Sequence, residues 1–162
     1  MIRIVDASVV VKWLIEEDGS DRAAQVMRLP LIAPESLVPE CLSALRKRVQ
    51  RGLMLEQRAV DAAHVLALAG IAFEPIQSLA PDILALSLRL SLSTYDCAYL
   101  ALARKLDGVV ITADQRLIDR CRRPDAADLA RRVQSLSENP PMVQERAVRP
   151  YIARRTKAKL RA

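Results

Sequence analysis

The stretch SLSTYDCAYLALARKLDGVVITADQRL, residues 91–117, determines the fold class and contains two aspartates. Residues 94–106 have the apolar spacing of an amphipathic helix, and an apolar run follows at 109–112. A run without polar alternation is typical of a strand buried on both faces of a parallel sheet. Asp96 therefore lies near a helix N-terminus, and Asp114 follows the carboxyl end of a strand, where α/β proteins commonly build their sites.

The rest of the chain repeats this alternation of apolar strands and amphipathic helices. Residues 126–136 fit either a helix or a segment that ends in an edge strand at 132–136. Strands and helices in alternation predict an α/β domain whose mainly parallel sheet is flanked by helices. Further strands are expected at 2–6, within 29–34 and at 71–74, and further helices over 9–17, 21–27, 40–51, 55–69, 79–90 and 117–121.

The composition is that of a globular protein with an aliphatic core. Of the 162 residues, 51% are hydrophobic and only 3% are aromatic, and the length fits one domain. No apolar run approaches the length of a membrane span. Asp6 lies where a signal peptide would have its apolar region, so we expect a cytoplasmic protein that does not contact a membrane.

The cysteines and the single histidine do not indicate metal binding or nucleophilic catalysis. Cys41, Cys97 and Cys121 are odd in number, widely spaced and set in apolar helical contexts, which is typical of reduced core residues. His64 lies in a helix rich in Ala and Leu and is expected to be structural or exposed. Catalysis, if present, therefore has to use other side chains.

Four acidic residues are expected at one edge of the sheet. Asp6 follows the first strand, Glu40 and Asp96 lie in first helical turns, and Asp114 follows the strand at 109–112. Each alone could cap a helix or interact with a helix dipole. Together they would repel one another by roughly 4 kcal/mol for a pair at close range. We therefore expect a cation to neutralise the cluster.

Carboxylate ligands without histidine or cysteine select hard cations, here Mg²⁺ or Mn²⁺. Such an ion lowers the pKa of bound water and stabilises the charge that develops during phosphodiester hydrolysis. The residues themselves thus predict a hard-metal site suited to cutting phosphodiesters, with one ion or two.

Three blocks resemble the signature motifs of PIN-domain ribonucleases: VDASVVVKWL from Val5, APESLVPECLSALRKRV from Ala33, and LSTYDCAYLALARKLDGVVITADQRL from Leu92. The resemblance covers residues 1–121 and is nearest to the VapC-type toxins of bacterial toxin–antitoxin pairs. We expect a PIN-like α/β/α sandwich, with a nuclease domain over 1–136 and a basic extension over 137–162. The resemblance implies a metal-dependent endoribonuclease that hydrolyses RNA.

The resemblance also implies roles for single residues. Ser8 would be the hydroxyl that accompanies the first acid, and Thr112 a hydroxyl that orients Asp114. By motif position, the residues that are both catalytic and metal ligands would be Asp6, Glu40, Asp96 and Asp114.

One position departs from the family pattern. Ser43 stands where the family commonly has Asn, and its hydroxyl can still form a hydrogen bond. Glu35 is a rival for the role of Glu40, but Glu40 matches the family spacing and shares a helix face with Ser43 and Lys47.

Basic side chains near the motif helices are candidates for binding RNA phosphates. Basic charge is also concentrated near the C-terminus, since residues 122–162 contain 11 Lys+Arg against 4 Asp+Glu. The resemblance implies an RNA substrate, a cognate antitoxin protein and a homodimer. The candidate RNA-binding residues are Lys12, Arg46, Lys47 and Arg116.

Two other functions compete with a toxin nuclease. Ser43 in place of Asn is compatible with a catalytically weak PIN-like module that binds RNA or an antitoxin without cutting. Aspartyl-phosphate enzymes and receiver domains also carry acids at strand ends of an α/β fold. The segment after Asp6, however, lacks the second aspartate of haloacid-type phosphatases, and the late lysine of a receiver is not found.

Overall fold

In the computed structural model, which describes residues 1–138, five strands form a parallel sheet in the order β3-β2-β1-β4-β5. The strands are β1 (Arg3–Val5), β2 (Leu31–Pro34), β3 (Ile71–Glu74), β4 (Val109–Thr112) and β5 (Val133–Ser135). The predicted parallel sheet is confirmed. All but the first two residues of the predicted basic extension, 137–162, lie outside the described residues.

Helices alternate with these strands along the chain. They are α1 (Ala7–Leu14), α2 (Ser20–Val26), α3 (Leu37–Gln50), α4 (Glu56–Leu68), α5 (Ala80–Leu90), α6 (Thr94–Leu106), α7 (Gln115–Cys121) and α8 (Ala127–Ala130). Short 3₁₀ turns, Gln77–Leu79 and Pro124–Ala126, precede α5 and α8.

The sheet is covered on both faces. Every residue of β1, β2 and β4 is buried, although successive side chains of a strand point to opposite faces. Helix α6 packs against all three strands. Its residues 97–103 are all buried, which explains why the alanine-rich sequence of this helix contains no polar stripe in its middle. The α/β/α sandwich is therefore confirmed.

The core is aliphatic, as the composition predicts, and its largest fully buried side chain is Tyr99. Cys41, Cys97 and Cys121 are free and buried within it. Burial raises the pKa of the Cys41 and Cys97 thiols to about 12, so neither is a thiolate at neutral pH. Among residues 1–138, no helix is both long and apolar enough to cross a membrane.

Several element bounds differ from the sequence-based prediction. Helix α1 spans Ala7–Leu14 rather than 9–17, which leaves Glu17 in the loop after it, and α7 begins at Gln115 rather than at 117. Helix α3 begins at Leu37 rather than Glu40, because Pro39 lies in the first turn, where a backbone N–H has no partner within the helix. Residues 126–136, left open between helix and strand, form both a short helix and the edge strand β5.

The order of the strands places a crevice beside β1. Consecutive strands continue from β1 through β2 to β3 on one side, while β4 and β5 lie on the other side. Open α/β sheets bind their ligands outside the carboxyl ends of the strands at such a switch point. Asp6 follows β1 at this point, and the backbone N–H of Asp6 donates to the carbonyl of Ile111 in β4 at 3.0 Å.

Gly108 allows the close approach of β4 to β1. A Cβ at this position would lie 2.5 Å from Ile4 Cδ1 and 2.9 Å from the Ile2 carbonyl oxygen. The Gly108→Ala variant is expected to lose about 1–3 kcal/mol of unfolding free energy through overpacking, measured by urea denaturation. Gly70→Ala is the matched control, since a Cβ there meets nothing within 4 Å. Equal stability of the two variants would contradict this account of the packing.

Candidate active site

Asp6 is a buried carboxylate at the carboxyl end of β1. It is 5% exposed and is the N-cap of α1, accepting from the Ser8 backbone N–H at 3.4 Å. The same oxygen, Oδ2, accepts from the Thr112 hydroxyl at 2.7 Å and from the Ser8 hydroxyl. Asp6 therefore combines the helix-capping role with a place at the switch point.

The two hydroxyls also hold the chain that follows β4. The Ala113 N–H donates to Ser8 Oγ, and the Asp114 N–H donates to Thr112 Oγ1, both at 2.9 Å. Thr112 was predicted to orient Asp114. In the structure it accepts from the Asp114 backbone and donates its own proton to Asp6, so it joins the two acidic segments.

Glu40 lies in the first turn of α3 and is held by a tyrosine from α6. The hydroxyl of Tyr99, which is 0% exposed, donates to Glu40 Oε1 at 2.9 Å. Burial raises the pKa of Tyr99, so the phenol keeps its proton and remains a donor. Glu40 is thereby fixed against the buried helix that also carries Asp96.

The two acids within residues 91–117, Asp96 and Asp114, differ in their surroundings. Asp96 is half-buried in the first turn of α6, where its backbone N–H donates to the N-cap Ser93 Oγ at 3.0 Å. Asp114 is the N-cap of α7, and its Oδ1 accepts from the N–H groups of Arg116 at 2.8 Å and Leu117 at 3.3 Å. The carboxylate of Asp114 is thus engaged in helix capping.

Two of the four acids, Asp6 and Glu40, have raised pKa values, and the charges of neighbouring acids contribute to both. Burial is the main cause of the raised pKa of Asp6. The hydrogen bonds from Ser8 and Thr112 lower this pKa, and the charge of Asp96 raises it. The pKa of Glu40 is raised to about 7, mainly by burial. The hydrogen bond from Tyr99 lowers this pKa, and the charges of Asp6 and Asp96 raise it.

These acids do not form an assembled ligand cluster. Within residues 1–138, no group of three or more His, Cys, Asp or Glu side chains is arranged so that it could hold a metal ion. The donor chemistry nevertheless fits a hard cation, because the neighbouring groups are carboxylate and hydroxyl oxygens.

An open pocket of about 740 Å³ is lined by two of the four acids, Glu40 and Asp96, and does not include Asp6 or Asp114 in its lining. Its wall includes Ser43 and three basic side chains, which are Lys12 of α1 and Lys47 and Arg48 of α3. Arg46 is exposed on α3 outside this lining, and Arg116 borders a separate recess on α7. The residues that line the pocket include Ser8, Lys12, Glu17, Glu40, Ser43, Lys47, Arg48, Tyr95 and Asp96.

Glu35, the rival of Glu40, lies away from this pocket. It is exposed, and its Oε1 accepts from the Ile76 N–H at 3.5 Å. His64 is also exposed, on α4, in agreement with the expectation that it is a structural or surface residue.

Comparison with known proteins identifies the family. The family model described as PIN domain matches residues 3–123. The chain therefore belongs to the PIN domain family, and the resemblance noted in the sequence is confirmed.

Among individual proteins, the chain is similar to "Ribonuclease VapC3" of Pyrobaculum aerophilum, with 27% identity over 121 residues, 72% of this chain and 92% of that protein. The crystal structure of PAE2754 from Pyrobaculum aerophilum has a TM-score of 0.60 and 18% identity, covering 85% of this chain and 92% of the other.

Two further solved structures share the fold. A toxin–antitoxin complex from Klebsiella pneumoniae has a TM-score of 0.57 and 18% identity, covering 83% of this chain and 97% of that chain. Mycobacterium tuberculosis VapC20, described as a toxin that cleaves the sarcin-ricin loop, has a TM-score of 0.59 and 16% identity, covering 71% and 92%.

Sequence reasoning missed two residues at this site, Tyr99 and Glu17. Tyr99 is three residues after Asp96, and residues with this spacing are neighbours on one helix face. That spacing could have identified Tyr99. Arg48 belongs to the basic residues of the helix that carries Glu40, but its pairing with Glu17 joins residues 31 positions apart, which no local pattern indicates.

The raised pKa of Glu40 predicts that the metal-free protein loses stability as the pH rises. The carboxyl titrates at about 4.5 without the fold and at about 7 within it, so the folded state binds more protons across this window. The unfolding free energy is then highest below this window and falls until the pH exceeds the folded pKa. Glu40→Gln should make the unfolding free energy depend less on pH and should raise it by about 1–2 kcal/mol at pH 8. Urea denaturation in EDTA measures this free energy.

Glu35→Gln is the matched control for this experiment, because Glu35 is the exposed rival on the same segment. It is expected to keep the pH dependence of the wild type. The assignment of the raised pKa to Glu40 is wrong if Glu40→Gln and Glu35→Gln show the same slope.

Proposed function

We propose that this chain is a metal-dependent endoribonuclease and the toxin component of a type II toxin–antitoxin pair. The observation that carries the proposal is that Asp6 and Asp96 lie near enough to Glu40 for their charges to raise its pKa, beside a pocket with cations on its wall. A carboxylate whose charge is disfavoured by neighbouring carboxylates is suited to binding a cation, and the basic wall is suited to an anionic polymer.

In this proposal the metal is Mg²⁺ or Mn²⁺, and Asp6, Glu40, Asp96 and Asp114 hold it. When bound, the metal supplies an activated water and neutralises charge on the phosphate. The protein's own contribution is orientation. The hydroxyls of Ser8 and Thr112 fix the carboxylate of Asp6, and Tyr99 fixes one oxygen of Glu40, so neither acid needs to be ordered when the ion arrives.

The relatives support this choice of substrate and system. The similar protein from Pyrobaculum aerophilum is named a ribonuclease, and one solved structure with the same fold is a toxin–antitoxin complex. We extend these properties to the present chain, with RNA as substrate, an antitoxin as regulatory partner and a homodimer as its assembly. Residues 137–162 are proposed to be a basic extension that adds phosphate contacts.

The central test is RNA cleavage by the purified protein with Mg²⁺ or Mn²⁺. Asp6→Asn and Asp96→Asn are each expected to lower kcat/KM by about 100-fold or more, because each removes a charge that binds the metal. Asp6→Asn should not lower the unfolding temperature of the metal-free protein, since Asp6 is buried with a raised pKa. Loss of activity in this variant would therefore not reflect unfolding.

Asp61→Asn is the control, since Asp61 is exposed on α4 outside the pocket. EDTA should abolish cleavage by the wild type and by Asp61→Asn alike. Equal cleavage by Asp6→Asn, Asp96→Asn and the wild type would refute the catalytic assignment. A wild type that binds RNA or its antitoxin and never cleaves would instead favour the binding module.

A truncated chain ending at Glu138 tests the basic extension. If residues 139–162 hold phosphates, their removal weakens RNA affinity and makes log Kd less dependent on log salt concentration. Fluorescence anisotropy at several salt concentrations measures both quantities. Unchanged affinity and slope would remove the extension from the account of RNA binding.

A further inference from the structure

A carboxylate on the rim of the pocket joins two cations from different helices. Glu17 Oε1 accepts from Lys12 Nζ of α1 at 2.9 Å, and Glu17 Oε2 accepts from Arg48 of α3. Lys12 also donates to the Asp18 carbonyl at 2.8 Å. All three side chains of this cluster, Lys12, Glu17 and Arg48, line the pocket that contains Glu40 and Asp96. We call it the Glu17 cluster.

The loop that carries Glu17 is itself fixed. The Glu17 N–H donates to Ser20 Oγ at 3.0 Å, and the Ser20 hydroxyl donates to the Ile15 carbonyl at 3.3 Å. The Ser20 N–H returns a bond to the Glu17 carbonyl at 3.0 Å. The backbone at Glu17 is therefore fixed by a closed turn. This restricts where the Glu17 carboxylate can lie, and the carboxylate in turn orients Lys12 and Arg48.

The cluster shares its pocket with two of the acids, Glu40 and Asp96. Lys12 is four residues after Ser8 on α1, and Arg48 is eight residues after Glu40 on α3. With a rise of 1.5 Å per residue, the Cα atoms of Lys12 and Arg48 lie roughly 6 Å and 12 Å along their helices from those of Ser8 and Glu40. The cluster is therefore near enough to the acids to contact a second phosphate of an RNA bound in the same pocket.

Stability alone is a weak reason for this arrangement. The side chains of Lys12, Glu17 and Arg48 are 15%, 27% and 33% exposed, so these ion pairs are partly buried, and the cost of desolvation offsets much of their Coulomb attraction. One carboxylate against two cations leaves a net positive charge facing the pocket. Ordered Lys and Arg side chains are well suited to phosphate, because less side-chain entropy is lost when the ligand binds.

We propose that Glu17 is a positioning residue, which holds Lys12 and Arg48 as a preformed subsite for a backbone phosphate of single-stranded RNA beside the cleaved bond. This inference rests on the proposed function. Glu17 does not contact the RNA in this account. It acts through the two cations, and Lys47 on the same wall supplies further positive charge.

Positioning and simple charge attraction predict opposite effects of the same variant. Glu17→Gln removes a negative charge from the pocket, so charge attraction alone predicts tighter RNA binding. If Glu17 positions the cations, the variant binds RNA more weakly despite the added positive charge. Glu16→Gln is the matched control, because Glu16 is the exposed neighbour and the change in charge is identical.

The experiment measures binding of a short fluorescein-labelled single-stranded RNA by anisotropy in EDTA, where no cleavage occurs. Glu17→Gln is expected to raise Kd roughly fivefold to tenfold relative to Glu16→Gln. The slope of log Kd against log salt concentration should fall by about the amount that one phosphate contact contributes. With Mg²⁺ or Mn²⁺ present, KM should rise by a similar factor while kcat changes by less than about twofold.

A double-mutant cycle separates positioning from a direct role. In a Lys12→Gln/Arg48→Gln background, Glu17→Gln should no longer weaken binding and should change Kd by no more than Glu16→Gln does. A Kd for Glu17→Gln equal to or lower than that of Glu16→Gln overturns the proposal. If Glu17→Gln does not fold, Lys12→Gln and Arg48→Gln test the subsite, and wild-type Kd in both overturns it. Absence of cleavage by the wild type would refute the proposed function alone, since binding is measured without metal.

Discussion

The hydrogen bonds accepted by the buried carboxylate of Asp6 are the constraint on which the rest of the site depends. A carboxylate that is 5% exposed costs several kcal/mol unless polar groups surround it. Ser8 and Thr112 supply those groups, and each also accepts a backbone N–H from the segment after β4. The same contacts that make the burial of Asp6 tolerable therefore fix β1, α1 and the chain leading to Asp114.

The pocket combines two kinds of charge. Glu40 and Asp96 line it, and burial and the charges of neighbouring acids raise the pKa of Glu40. Cations also lie on its wall, and one of the wall's own carboxylates, Glu17, pairs with two of them. In the proposed function the acids bind a cation while the basic wall attracts a polyanion, which a uniform surface of either sign could not do.

Much of the fold could be predicted because buried parallel strands are continuous apolar runs. The strand at 71–74, the strand at 109–112 and the helix at 94–106 have the predicted bounds. The start of α3 was predicted three residues late, because Pro39 resembles a helix break although it is tolerated in a first turn. The edge strand β5 has little apolar character of its own and depends on pairing with β4.

Less of the site could be predicted. Strand ends and helix starts indicate where acids gather, so four candidate acids could be named from sequence. The sequence does not show that Asp114 caps α7, or that Tyr99 binds Glu40 across 59 positions of chain. Such contacts depend on how α6 packs under the sheet, which no local pattern encodes.

The pairing of β1 with β4 also determines when the site exists. The Asp6–Thr112 hydrogen bond joins residues separated by 106 positions, and contacts of such long range form late in folding and need most of the chain. During synthesis, Asp6 and Glu40 leave the ribosome well before Asp96 and Thr112. A growing chain therefore has no assembled acidic pocket until β4 has emerged. For the nuclease proposed above, this order of assembly leaves unfinished copies without the site that would hold the metal.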